Sequence, residues 1–268
     1  MLILTTYGVI EPFGTNGYAD PLWSMAAVGA VVFGLLLPLE RWALGAAAVL
    51  IAVAGETKIE GTITGGAILG LLIARWIWAQ RRGTSGIRWT ATRWTVFGGG
   101  FLLLLAWPAL MKVVGTNGGF DLVSPQVSTL PGRAPAIYDA MKMHLYILPL
   151  ALAVSAIGWL TISRVRRATG VDSDLWAWGA LGIGLAVVVG AYLESRGGAS
   201  TLKLWLETSV HRVSEFPGLM AWWIIAIWTV LAYSALVLAL QSSRQQLSRI
   251  VTDNSAQGDS VEPQHRNS

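Results

Sequence analysis

Apolar residues in this chain come in long unbroken runs separated by short polar breaks. They do not show the two-residue alternation of a half-buried strand. A helix that spans a bilayer needs about 17–25 mostly apolar residues. The runs that fit or approach this length cover Pro21–Leu37, Trp42–Gly55, Thr62–Ala79, Trp94–Val114, Leu145–Ile162, Leu175–Leu193 and Leu219–Leu240. The pattern therefore predicts an all-α, polytopic helical membrane protein with about seven transmembrane helices over residues 1–241. The second run is short for a span, which fits a tilted helix whose end is buried in protein. Two connections, at about 115–143 and 194–218, are long enough to carry function. After residue 241 the chain turns polar, and the pattern predicts a short helical extension followed by a disordered tail, 242–268.

Composition agrees with the spans. Of 268 residues, 54% are hydrophobic and only 13% charged, about half the charge of a soluble domain. Fourteen Trp suit a chain with two membrane interfaces. The absence of Cys excludes disulfides, thiolate metal sites and Cys nucleophiles. The net charge of +4 is spread over many loops, which argues against nucleic acid as a partner. Gly-rich stretches such as 98–101 and 179–190 favour close helix approach in lipid. None of them has a phosphate-binding or dinucleotide pattern.

Charge sorts the loops. One alternate set holds Arg41, Arg81, Arg82, Arg88, Arg93, Arg164, Arg166, Arg167, Arg244, Arg249 and Arg266; the other holds Lys58, Lys112, Arg133, Lys142, Arg196, Lys203 and Arg212. The set richer in cations is expected on the cytoplasmic side, which puts the N-terminus outside and the C-terminus inside a cytoplasmic membrane. Residues 1–20 hold no Lys or Arg and show no pattern of a cleaved signal.

Three polar clusters then fall on the outer side. In the first, Asp20-Pro21 opens a span; the pair is a favourable helix start, and the carboxylate is also placed to take a proton or a cation. In the second, Glu56, Lys58 and Glu60 sit within five residues between two spans. Such dense charge at membrane depth is paired or functional, or else an interfacial turn with Lys58 snorkelling to headgroups. The third runs from Trp205 to Pro217. If it is one helix, Glu207, His211 and Glu215 share a face at i, i+4 spacing, a set that admits a divalent metal. His211 and Arg212 equally suit an anionic ligand, or an interfacial role with a partner acid. His144 reads as interfacial, and Asp172 and Asp174 as a helix start on the inner side.

In this order, the segments GYADP (17–21), TKIEG (57–61) and ETSVHRVSEFP (207–217) resemble the polytopic bacterial glycosyltransferases of the GT-C superfamily, which use polyprenyl-phosphate sugars. Asp20-Pro21 resembles the family's Asp-Pro at the head of a span. Lys58-Ile59-Glu60-Gly61 resembles its Lys-x-Glu-Gly turn, where Asn often stands in place of Ile59. Thr208-Ser209-Val210-His211-Arg212 resembles its Thr-Ser-x-x-Arg run before a late span. The chain resembles the C-terminal part of such enzymes. In the family, further spans and an outer loop with the acidic catalytic base precede that part.

The resemblance implies a helical membrane bundle and transfer of a sugar from a polyprenyl phosphate to an acceptor hydroxyl. Such a reaction needs a carboxylate base and cationic or metal stabilisation of the leaving phosphate. On this reading Asp20 is the catalytic residue. Lys58, Glu60, His211 and Arg212 bind substrate, and Glu56 is the candidate ligand of a divalent metal cofactor. The partners are a polyprenyl-phosphate lipid and membrane lipids. A different class of function is a non-catalytic membrane subunit of a cell-envelope complex, or a transporter component. Transport favours ionisable residues in mid-span, whereas charge here stays near span ends, at Arg75 and Lys112.

Overall fold

A computed structural model describes residues 20–37, 40–57, 59–82, 98–100, 102–106, 109–110, 113, 130–161, 173–194 and 199–258. Among them there are helices and no strand. Helix α1 (Asp20–Val31) continues into a π-helical turn over Val32–Leu36. Then come α2 (Arg41–Thr57), α3 (Ile59–Arg81), α4 (Leu130–His144), α5 (Leu148–Thr161), α6 (Ser173–Glu194), α7 (Ala199–Val213) and α8 (Glu215–Gly258).

Helices α3 and α6 and the helical run Leu206–Gln246, which joins the end of α7 to α8, are long and apolar enough to cross a membrane, and α4 with α5 makes a fourth candidate if that bent pair is one span. At 1.5 Å per residue, the 23 residues of α3 reach about 34 Å, enough for a hydrocarbon core of ~30 Å. The runs at Pro21–Leu36 and Trp42–Thr57 form shorter apolar helices. The expected span Trp94–Val114 is described only in fragments. Within it, Leu104 is buried against the α2–α3 pair, and its side chain reaches the space beside Gly55 and Gly65. Large apolar side chains such as Val49, Leu102, Ile157, Leu160 and Val230 are exposed. In water such a surface would be a strong association liability; in lipid it is the expected exterior.

The core is organised by one stripe of α8. Phe216, Met220, Ile224 and Trp228 recur every fourth residue and are all buried, the spacing that keeps side chains on one helix face. Small residues let other helices approach that stripe. A Cβ built on Gly184 of α6 would lie 2.6 Å from the Phe216 ring, and one on Gly158 of α5 would lie 2.2 Å from the Trp228 ring. Helix α1 meets the same stripe through Trp23, whose ring lies 6.1 Å from Phe216.

Proline removes a backbone hydrogen bond at two helix junctions. Pro149 has no N–H to give the carbonyl of Leu145, and Pro217 none for that of Val213. Accordingly, α4 ends at His144 and α5 begins at Leu148, with the two bent by 75°. At Pro217 the effect is smaller: Ser214 donates to the Val210 carbonyl and Gly218 to that of Ser214, both at 3.0 Å, so α7 runs on through Ser214 into α8 as one helical path. Both long connections of the sequence therefore hold helices, α4 and α7. The expected span from Leu145 starts three residues later, at Leu148. Beyond residue 241, the expected helical extension runs to Gly258. No Gly or Pro interrupts 242–257, and extending an existing helix is far easier than nucleating one.

The two ends of the bundle differ. One end carries the start of α1, the α2–α3 turn and the α7–α8 junction. At the other, Arg75 donates from Nη1 to the Gly34 carbonyl at 2.7 Å and from Nη2 to the Leu37 carbonyl at 2.9 Å. Nearby are an edge-on contact of Phe33 with Trp42 at 5.8 Å, a Trp42 indole donating to Glu40, and Arg82 stacked 4.4 Å over Trp78. Aromatic and cationic side chains of this kind favour a membrane interface.

Candidate functional site

The three polar clusters come together at one end of the bundle because small and aromatic residues bring their helices into contact. A Cβ on Gly61 would lie 3.1 Å from the Cβ of Trp23 and 2.0 Å from the carbonyl oxygen of Ala54. Trp23 in turn packs on Phe216. The start of α1, the α2–α3 turn and the start of α8 are thus neighbours. Helices α2 and α3 are tied at this end, where the Thr62 hydroxyl donates to the Gly55 carbonyl at 2.9 Å.

Within this end, Asp20 is the first residue of α1. Glu56 is exposed near the end of α2, and Glu60 is half-buried in the first turn of α3. Lys58 lies outside the described residues. His211 and Arg212 are half-buried in the last turn of α7. One Arg212 contact is to its own helix, from Nη2 to the Thr208 carbonyl at 3.2 Å.

Glu207, His211 and Glu215 follow one another at i, i+4 through the α7–α8 junction, where Ser214 donates to the Val210 carbonyl and Gly218 to that of Ser214, both at 3.0 Å. Their surroundings differ: Glu215 is buried, while Glu207 is exposed, 3.8 Å from Lys203. Among the described residues no group of three or more His, Asp or Glu is gathered to hold a metal. Neither the 207–215 run nor Glu56 has such a group around it among the described residues.

The region around α4 reads as a loop in the sequence, which hides what covers this end. Ile137, Met141 and Leu145 pack with Leu202, Leu206, Val210 and Val213 of α7 and with Val188 and Tyr192 of α6. Polar contacts fix the assembly: Arg133 donates to the Leu193 carbonyl at 3.0 Å, and the Tyr192 and Ser209 hydroxyls lie 2.8 Å apart. An Arg at the C-terminal carbonyls of α6 is favourably placed for the helix dipole. Lys142 is exposed and bonded to Asp139 at 2.7 Å. That hydrogen bond raises its pKa above the usual lysine value.

His144 stands alone in the sequence, but its ring centroid lies 5.9 Å from that of His211. Partial burial lowers the His144 pKa below the usual imidazole value, which favours the neutral ring. The pairing has no local sequence signal, since 67 residues separate the two histidines. Nor does the sequence single out three buried hydroxyls, those of Ser24, Thr64 and Ser214. All lie within about two helical turns of this end, and none has a hydrogen-bond partner among the described residues.

The chain matches no protein-family model, no curated protein and no solved structure.

Proposed function

We propose that the end of the bundle carrying Asp20, Glu60 and Arg212 faces outward from a cytoplasmic membrane and binds the phosphate of a polyprenyl-phosphate lipid. The reaction class is glycosyl transfer to an acceptor hydroxyl, with Asp20 as base and Lys58, Glu60, His211 and Arg212 as the substrate-binding set. The observation that carries this reading is the meeting of the three polar clusters, through Trp23, Gly61 and Phe216, at one end of an apolar bundle. The resemblance to GT-C enzymes rests on these same segments, which lie far apart in sequence. Chemistry adds support: Arg is charged at every relevant pH and offers a planar fork of donors to phosphate oxygens. The buried hydroxyls of Ser24, Thr64 and Ser214 offer further polar groups toward the same end of the bundle.

Binding of polyprenyl phosphate to the purified full chain tests the proposal. A hydrogen bond to a charged group is worth ~1.5–3 kcal/mol, so Arg212→Ala is expected to weaken binding by about tenfold or more. Arg212→Lys, which keeps charge but loses the fork, falls between Ala and wild type. Equal affinity in all three proteins overturns the phosphate role.

The same proposal includes seven spans, with α1 and α2 as short ones, and the N-terminus outside. Reporter fusions at Gly83 and Arg167 are expected to read cytoplasmic, and one at Ser128 external. The opposite readouts would place the polar end inside and remove it from any externally facing reaction.

A further inference from the structure

His144 and His211 come from different helices: His144 is the last residue of α4, and His211 stands in the last turn of α7. Their ring centroids are 5.9 Å apart, with planes inclined at 42°. Two imidazoles on one tetrahedral ion, each with a metal–nitrogen distance of about 2.0–2.1 Å, have centroids roughly 5–5.5 Å apart. The backbone under the rings is held by the apolar contacts of Met141, Leu145, Val210 and Val213 and by the Tyr192–Ser209 hydrogen bond.

One further feature favours a cation here. Helix α4 ends at His144, so the negative end of its dipole faces the pair. The charges on the two helices near the pair are Lys142, Arg212, Asp139 and Glu207. Lys142 is engaged by Asp139, and Glu207 is four residues from His211 on the same helix.

We propose that His144 and His211 form a two-histidine site for a divalent transition-metal ion of the zinc, nickel or copper type. Imidazole nitrogen suits these ions, whereas magnesium and calcium prefer oxygen. With two protein ligands the remaining coordination positions are open to water or to oxygen atoms of a bound molecule. The site does not depend on the lipid-phosphate reading, because the ion alone is the probe.

Titration of the purified full chain with Zn²⁺ is expected to show one saturable site per chain, absent with Mg²⁺. His144→Ala and His211→Ala each weaken it at least ~tenfold, in the range of losses seen when a metal site's supporting partners are removed. His265→Ala, which alters the tail histidine, leaves it unchanged. The zinc affinity falls as pH drops through the imidazole range, since protons compete for the same nitrogens. With Cu²⁺ as a probe, nitrogen couplings in the electron paramagnetic resonance spectrum are expected from two imidazoles in the wild type and one in either variant. His144 is exposed, so His144→Ala gives a folded protein for this comparison. Absence of saturable Zn²⁺ binding, zinc binding that survives His144→Ala, or its loss in His265→Ala overturns the proposal.

Discussion

Arg75→Ala is expected to destabilise the bundle by about 2–4 kcal/mol, because two backbone carbonyls lose their charged donor at a half-buried helix end. The reason begins in the sequence. In a continuing helix the Gly34 carbonyl would accept from the N–H of residue 38, and that residue is proline. Arg75 of α3 supplies the missing donor through Nη1, and its second nitrogen serves Leu37. A charge within an apolar helix is costly unless paired; here the fork meets two carbonyls at once. Arg75→Lys keeps the charge but offers one nitrogen, and is expected to recover only part of the loss. Thermal unfolding of the detergent-purified protein reads the effect. A variant with Ala at 75 that melts with the wild type would show that these carbonyls do not need the guanidinium.

Gly61→Ala is expected to be nearly as damaging, at about 1–3 kcal/mol or more for forced overpacking. The added Cβ would stand 2.0 Å from the Ala54 carbonyl oxygen and 2.8 Å from its carbon. Those are backbone atoms, so no rotamer change relieves the clash; α2 and α3 must move apart. Trp23 then loses its seat, and with it the contact that joins α1 to the α2–α3 turn. Gly70→Ala on the same helix is the control, since a Cβ added there would meet nothing within 4 Å. It is expected to leave stability unchanged or slightly raised, as Ala favours a helix over Gly by ~1 kcal/mol. Equal behaviour of the two variants would show that α2 and α3 are not in close contact at Gly61. The glycine of the Lys-Ile-Glu-Gly turn thus has a packing reason that stands whether or not the turn binds a ligand.

Much of the fold is legible in the chain because it depends on local composition. Continuous apolar runs with little charge specify helices that shed water on all sides, and that reading holds for α3, α6 and α8. Prolines 38 and 149 mark helix breaks through chemistry that needs no tertiary context: a missing N–H and a clash with the preceding turn. The content of the two long connections is not legible. Helices α4 and α7 mix polar and apolar residues over only four turns, and short helices of that kind are set by what they pack against.

The candidate site divides in the same way. The residue types at 20, 56, 58, 60, 211 and 212 stand out in sequence because charge beside a span is costly and therefore informative. Their companions do not. Glu207, His211 and Glu215 keep their i, i+4 spacing through the α7–α8 junction, but that Glu215 is buried and Glu207 exposed is set by neighbouring helices that the spacing does not reveal.

By itself the sequence determined an all-helical, lipid-compatible chain and the places where its helices must stop, since burial cost and proline geometry act locally. The tertiary structure alone decided which distant residues meet: Trp23 with Gly61 and Phe216, Arg75 with the end of the first helix, and His144 with His211. These meetings follow from side-chain volume at helix contacts, where a glycine admits a neighbour that any larger residue would exclude.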